Sequence, residues 1–245
     1  AHMLRYTGYS YKENDYPKMF DYLNQALAVT ETHLEGASIW QADVYNNLGE
    51  YYEEFLGDYN QAIASAQKGQ QFYEQYIGKT SAHLAQIYNN IGLRLEYKGH
   101  YDEAILYHQR ALQLRDHSGD DLWSAGQSHK NLGRCYEGKG DFEQAMYHYR
   151  IMEISYLKSH LVMRFASSGY QNMGRCYNKM GEFDSAQIVL QLALDWLQKR
   201  DNTVNSYYGQ RIYRDLGDAY DGTHQHNLEL QSYQKALAIA KKNNA

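Results

Sequence analysis

Tyr45-Asn46-Asn47-Leu48-Gly49 returns four times along the chain. The later copies are Tyr88-Asn89-Asn90-Ile91-Gly92, His129-Lys130-Asn131-Leu132-Gly133, Tyr170-Gln171-Asn172-Met173-Gly174 and Tyr213-Arg214-Asp215-Leu216-Gly217. The closing glycines lie 43, 41, 41 and 43 residues apart. A phrase repeated at a fixed period of this size marks a solenoid, in which each unit buries its apolar face against its neighbours. Such stacks present an extended concave surface to other chains.

Each unit reads as two helices. Tyr45, Leu48, Gly49 and Tyr52 recur at intervals of three, four and seven, as do Tyr170, Met173, Gly174 and Tyr177. Those intervals place them on one helical face. A turn follows at Gly57-Asp58-Tyr59, Gly99-His100-Tyr101, Gly140-Asp141-Phe142 and Gly181-Glu182-Phe183. Glycine accepts the left-handed conformation that ends many helices. An acidic residue at the start of the next helix suits its dipole. Five residues after each glycine comes Ala62, Ala104, Ala145 or Ala186, small enough for paired helices to approach closely. The pattern predicts helices over 38–56 and 58–77, 81–98 and 101–117, 121–139 and 141–158, 162–180 and 182–200, and 203–221 and 225–242. Asp120-Asp121 reads as the cap of the helix starting at 121. Pro17, the only proline, suits the first turn of a helix.

The units predicted are 37–79, 80–119, 120–160, 161–201 and 202–245, preceded by a partial repeat over 4–36, all in one domain. Ala1-His2-Met3 reads as a cloning scar. The short leading unit suggests a segment excised from a longer protein. The last unit departs from the pattern, with His224 at the turn glycine and Glu229 at the alanine, as suits a terminal cap.

Composition narrows the function. The chain has 245 residues and a net charge of −5, with a pI near 6.1 and a mean hydropathy of −0.75. No Lys/Arg run exceeds two residues, so the electrostatic footprint of a nucleic-acid binder is missing. No apolar run is long enough for a membrane helix. Cys135 and Cys176 hold equivalent places in successive repeats; neighbouring helices keep such places too far apart for a disulfide. They read as buried thiols of a reducing, cytoplasmic compartment. No phosphate loop, dinucleotide fingerprint, metal-ligand spacing or nucleophile–base arrangement occurs, so neither an enzyme nor a cofactor is expected. His224 and His226, two apart beside a turn, read as solvated.

A Leu-Gly pair, an aromatic three residues on, then Gly-Asp-aromatic-x-x-Ala resembles the tetratricopeptide repeat. Asn131-Leu132-Gly133-Arg134-Cys135-Tyr136 with Gly140-Asp141-Phe142-Glu143-Gln144-Ala145 lies near its consensus, and Tyr107-His108-Gln109-Arg110-Ala111-Leu112 resembles its tail. The resemblance implies an all-α, right-handed superhelical solenoid whose first helices line a groove. The 41–43-residue period exceeds the usual ~34. It is similar to that of kinesin light chains, LGN/Pins spindle adaptors and Rap-type peptide receptors, all peptide binders.

Asn47, Asn90, Asn131 and Asn172, with Asp215 completing the row, would then face that groove. An amide both donates and accepts, so one per repeat could grip the backbone of an extended peptide whatever its side chains; such a ladder is similar to one in those families. The other reading is that the row braces neighbouring helices. Lys130 and Arg134 share a helix face, and with Arg175 they form a basic centre able to read acidic side chains or a C-terminus, or a solvated patch. Glu53, Glu96, Glu137 and Asp221 form an acidic row that implies a ligand of mixed charge or partial self-neutralisation. Many of the 26 tyrosines fall on core positions, such as Tyr45, Tyr88, Tyr136 and Tyr213, whereas Tyr97, Tyr207 and Tyr208 fall off pattern. The expected function is a protein-interaction module that captures an extended or short helical segment of a protein or peptide partner, with acidic groups on that partner favoured. Its rivals are a ligand-sensing segment of a larger signalling protein and a self-associating scaffold.

Overall fold

The computed structural model describes residues 16–33, 38–76, 82–117, 122–158, 166–200 and 204–243. Among them lie eleven helices and no strand. They are α1 (Tyr16–His33), α2 (Ser38–Leu56), α3 (Tyr59–Tyr76), α4 (Ala82–Tyr97), α5 (Tyr101–His117), α6 (Leu122–Lys139), α7 (Phe142–Lys158), α8 (Ala166–Met180), α9 (Phe183–Arg200), α10 (Tyr207–Gly222) and α11 (His226–Asn243). Ala1-His2-Met3, the leading part of the partial repeat and the Asp120-Asp121 cap lie outside the described residues.

The chain divides into two compact units, Ala1–Gly119 and Asp120–Ala245. In unit 1, α2 pairs with α3 and α4 with α5, while α1 packs on α2 and α3 on α4. In unit 2 the pairs are α6–α7, α8–α9 and α10–α11, and α7 packs on α8 and α9 on α10. The first helices α8 and α10 also touch directly.

The turns form as the glycines predict. Gly140 has φ 81°; its N–H reaches the Glu137 carbonyl at 3.1 Å, and the Asp141 N–H reaches that of Tyr136 at 2.9 Å. These two bonds are the Schellman closure, which satisfies carbonyls at the helix end. Asp141 then caps α7, its Oδ1 accepting the Gln144 N–H at 3.2 Å. The acidic residues therefore stand just before the second helices rather than inside them. His224, where the last turn lacks glycine, adopts the same left-handed backbone at φ 58°. Ala62, Ala104, Ala145 and Ala186 are all fully buried. The consensus tyrosines pack as expected: Tyr88 is buried, and Tyr45, Tyr52, Tyr136, Tyr170, Tyr177, Tyr213 and Tyr220 lie half-buried against the core clusters.

One helix departs from its expected start. α10 begins at Tyr207 rather than near 203, with extended Ser206 before it. The chain folds back here, bringing the Val204 carbonyl to 1.7 Å from where a Cβ on residue 209 would stand, so only Gly209 admits this path. Both cysteines are free and buried. Burial, with Glu137 nearby, pushes the Cys176 thiol up to about 12, which keeps it protonated and unreactive.

In the second repeat Arg94 stands one period before Cys135. It is 1% exposed, and its Nε donates to Glu53 at 2.9 Å. A buried guanidinium thus takes the place of a small thiol.

Candidate functional site

The inner wall of unit 2 is built from α6, α8 and α10. Helical spacing brings Lys130 and Arg134 of α6, Arg175 of α8, and Arg211 and Arg214 of α10 to one cavity of about 510 Å³. Asn172, Gln171, Ser168 and the phenols of Tyr156, Tyr207 and Tyr208 complete the lining, and no carboxylate belongs to it. The cavity collects all three cations singled out in the sequence, together with Asn172. It adds Arg211, which precedes Asp215 by one helical turn; a search confined to the conspicuous rows misses it. Tyr207 and Tyr208, noted only as off-pattern, form its aromatic border, and Arg211 lies over the Tyr207 ring at 5.8 Å.

Two carboxylates sit behind this lining. Glu137 accepts from Arg175 Nε at 2.8 Å and Nη2 at 2.6 Å, from Lys179 Nζ at 2.8 Å and from the Tyr149 hydroxyl at 2.8 Å. Burial alone would raise its pKa. The bonds and charge of Arg175, with help from Lys179 and Tyr149, outweigh burial and hold the carboxyl down at about 2. Asp215, 1% exposed, accepts from Arg214 Nη2 at 2.8 Å and from Gln171. Each carboxylate fixes one arginine of the wall. In unit 1 Glu53 fixes Arg94 in a similar way, so part of the acidic row neutralises the protein's own cations.

The asparagine row divides. Asn131 and Asn172 are 4% and 6% exposed, while Asn47 and Asn90 are half-buried. Asn90 donates to Asn46 at 3.3 Å and accepts from Gln86 at 2.9 Å. Asn90–Asn46 and Asp215–Gln171 have the same separation of 44 residues. In both units the row residue of one repeat is tied to the polar residue just before the row in the preceding repeat. This is bracing geometry, and in unit 2 it borders the cavity.

A histidine pair joins α6 to α7. His129 Nδ1 and His148 Nδ1 are 2.9 Å apart, and the His148 ring stacks on Tyr136. One nitrogen must donate and the other accept, so a second proton would place two cations in contact. Burial first, then the charge of His129, lowers the His148 pKa to about 4. A depressed histidine pKa means that the unfolded chain binds the extra proton first as pH falls below the usual 6.5. Stability is therefore lost from about pH 6.5 downward, at up to about 1.4 kcal/mol per pH unit. We expect denaturant unfolding to show unit 2 weakened by about 1–2 kcal/mol between pH 6.5 and 5. The His148→Gln variant should lose most of that slope; an equal loss in both proteins would contradict the assignment.

No helix among the described residues is long and apolar enough to cross a membrane. No protein of curated function matches the chain in sequence. Among solved structures, BtubC (BKLC) from P. vanneervenii is similar at 16% identity and TM-score 0.74, over 95% of this chain and 93% of that one. A signal transduction ATPase with numerous domains and a tetratricopeptide repeat sensor, from Pyrococcus horikoshii, matches at 15% identity and TM-score 0.77, over 97% of this chain and 36% of that one. A Rap protein complexed with competence and sporulation factor matches at 14% identity and TM-score 0.61, over 98% of this chain and 74% of that one. At these identities the likeness is one of fold. Sequence profiles described as tetratricopeptide repeat match residues 40–117 and 84–150, and a further one residues 167–196. Together with the helix pairs, turn glycines and buried alanines, these matches show that the chain belongs to the tetratricopeptide repeat family.

Proposed function

We propose that the chain is a protein-interaction module, and that unit 2 captures an extended or short helical segment of a partner at the α6–α8–α10 wall. Tetratricopeptide repeats generally mediate protein–protein interaction and are generally non-enzymatic scaffolds. The observation that carries the finer reading is a cavity lined by five cationic side chains and no carboxylate. Lys130, Arg134 and Arg175 read acidic groups of the partner, and Asn131 and Asn172 hold its backbone. Asn47 and Asn90 supply the same amides to unit 1.

The test measures melting and binding on the same variants, with a fluorescent glutamate-rich peptide library as probe. Arg134→Glu should weaken binding in a salt-dependent way, because repulsion replaces attraction. Asn131→Ala should lose about 1–2 kcal/mol of binding with little change in melting temperature. Unchanged affinity with a lowered melting temperature would remove the asparagine grip and leave bracing as the role of that row.

A second reading makes the chain the sensor of a larger signalling protein. The similar Pyrococcus horikoshii structure, described as carrying a repeat sensor, favours it. The sequence of the parent gene tests it, since a flanking effector domain is required.

A further inference from the structure

We propose that unit 2 carries a further binding site, a socket between α9 and α11 that takes a tyrosine side chain of a partner protein. The socket shares no lining residue with the basic cavity, so it stands apart from the reading of the α6–α8–α10 wall.

The first argument is a comparison of equivalent places in the two units. The socket is a cavity of about 260 Å³ formed by α9, α10 and α11, with Val204 just before α10. In unit 1 the same place lies between α3, α4 and α5. A Cβ on Gly92 of α4 would meet His108 of α5, and one on Gly217 of α10 would meet Tyr233 of α11. Tyr107 and Ser232 each precede the facing residue, so they hold the same position. By the same register Tyr213 corresponds to Tyr88, Gln191 to Gln67 and Lys235 to Arg110.

Unit 1 fills the place from within. Tyr107 stands beside Tyr88 with ring centroids 6.0 Å apart. Its hydroxyl accepts from Gln67 Nε2 at 3.3 Å, and Arg110 lies 5.7 Å over its ring and 5.9 Å over that of Tyr88. Unit 2 keeps this frame without the ring. Lys235 Nζ lies 5.2 Å over Tyr213, but Ser232 stands where Tyr107 would be, and the cavity opens there. Gln191, with no phenol opposite, donates to Asp195 of its own helix at 3.0 Å.

The second argument is chemical fit. Leu194, Val204, Leu216 and Leu228 supply apolar wall. Gln191 retains a second N–H and a carbonyl for a hydroxyl, and Lys235 offers a cation to the face of a ring. The volume lies below the roughly 300–1,000 Å³ of clefts that hold drug-sized ligands, and suits one side chain. A phenylalanine ring would leave Gln191 unused, and an aliphatic side chain would leave Lys235 without a ring to cover. Leu228 is 40% exposed, and Gln191 and Lys235 are exposed, so the socket opens to solvent where another chain can reach it. Tyrosine is among the side chains that anchor protein interfaces by filling such pockets.

Degenerate heptapeptide libraries centred on tyrosine, phenylalanine or alanine test this, read by the methyl chemical shifts of Val204, Leu216 and Leu228. The tyrosine library should shift all three and bind about fivefold tighter than the phenylalanine library, as one added hydrogen bond provides. The alanine library should leave them unmoved. Ser232→Tyr supplies the ring from within, as unit 1 does, and should abolish the shifts. Gln191→Leu should bring tyrosine down to the level of phenylalanine while the circular dichroism stays helical. No shift from the tyrosine library, or equal binding of tyrosine and phenylalanine, would overturn the proposal. Persistent shifts in a folded Ser232→Tyr would do the same. p-Cresol binding as tightly as the tyrosine library would overturn the choice of a protein as source. A dimer in light scattering that Ser232→Tyr dissolves would overturn it too, because a second copy of this chain would then supply the ring.

Discussion

Glu137→Ala is expected to lower the stability of unit 2 by about 3–5 kcal/mol, the range for removing one partner from a buried ionic cluster. The loss exceeds that of an ordinary surface pair, worth about 0–1 kcal/mol, because the carboxylate is buried and has both oxygens in use. Its removal strands the Arg175 guanidinium and the Tyr149 hydroxyl in places that water reaches poorly. Glu137→Gln keeps the shape and one acceptor, so it should fall between alanine and the parent. The pH dependence follows from the lowered pKa. A carboxyl at about 2 when folded and 4.5 when unfolded contributes fully above pH 4.5, and the contribution fades as pH falls through 2. Denaturant titrations of parent and variant at pH 7 and pH 3 check this: the gap should be wide at pH 7 and narrower at pH 3. A difference below 1 kcal/mol at pH 7 would mean that the cluster is screened like a surface pair.

Gly133→Ala comes next in size. In an open helix the change would be favourable by about 1 kcal/mol. Here the added Cβ would lie 2.5 Å and 2.7 Å from two ring carbons of Tyr149. That ring cannot swing away cheaply, because it is fully buried and its hydroxyl is tied to Glu137. Overpacking of about 1–3 kcal/mol, plus a strained hydrogen bond of about 1 kcal/mol, outweighs the helix gain. The expected net loss is about 2 kcal/mol, read as a lower denaturant midpoint with an unchanged slope. An alanine variant as stable as the parent would show that Tyr149 has room to move. The double variant Gly133→Ala/Glu137→Ala should lose less than the sum of the two, since the ring is then released from its anchor.

Much of this architecture can be read from the residues because its determinants are local. A glycine at the end of a helix, an acid after it and an alanine five residues on each act within one turn, and they appear where the chain reverses and pairs. The start of α10 was less legible. It depends on the Val204 carbonyl meeting Gly209, a contact between backbone groups that carries no side-chain signature. The candidate site divides along the same line. Arg134 and Arg175 were visible because repeat alignment stacks them in register, and Lys130 because it lies one helical turn before Arg134. Arg211 belongs to the cavity only because α10 turns that face toward α8, and helix rotation is set by packing across repeats. That rotation also pairs Asp215 with Gln171, and packing between repeats of unit 1 likewise pairs Asn90 with Asn46. An amide row reads alike in sequence whether it faces a ligand or the next helix.

The Asp215–Gln171 tie gives unit 2 a mechanical character. It is a polar latch between two inner helices, set at the border of the cavity that would receive a ligand. A guest that takes for itself the Gln171 N–H given to Asp215 has to open the latch first, so its net affinity is reduced by the worth of that contact. A guest satisfied by Lys130, Arg134 and Arg211 alone leaves the latch shut. Ligands of the first kind would make the stack more compliant between α8 and α10, and ligands of the second kind would leave its stiffness unchanged.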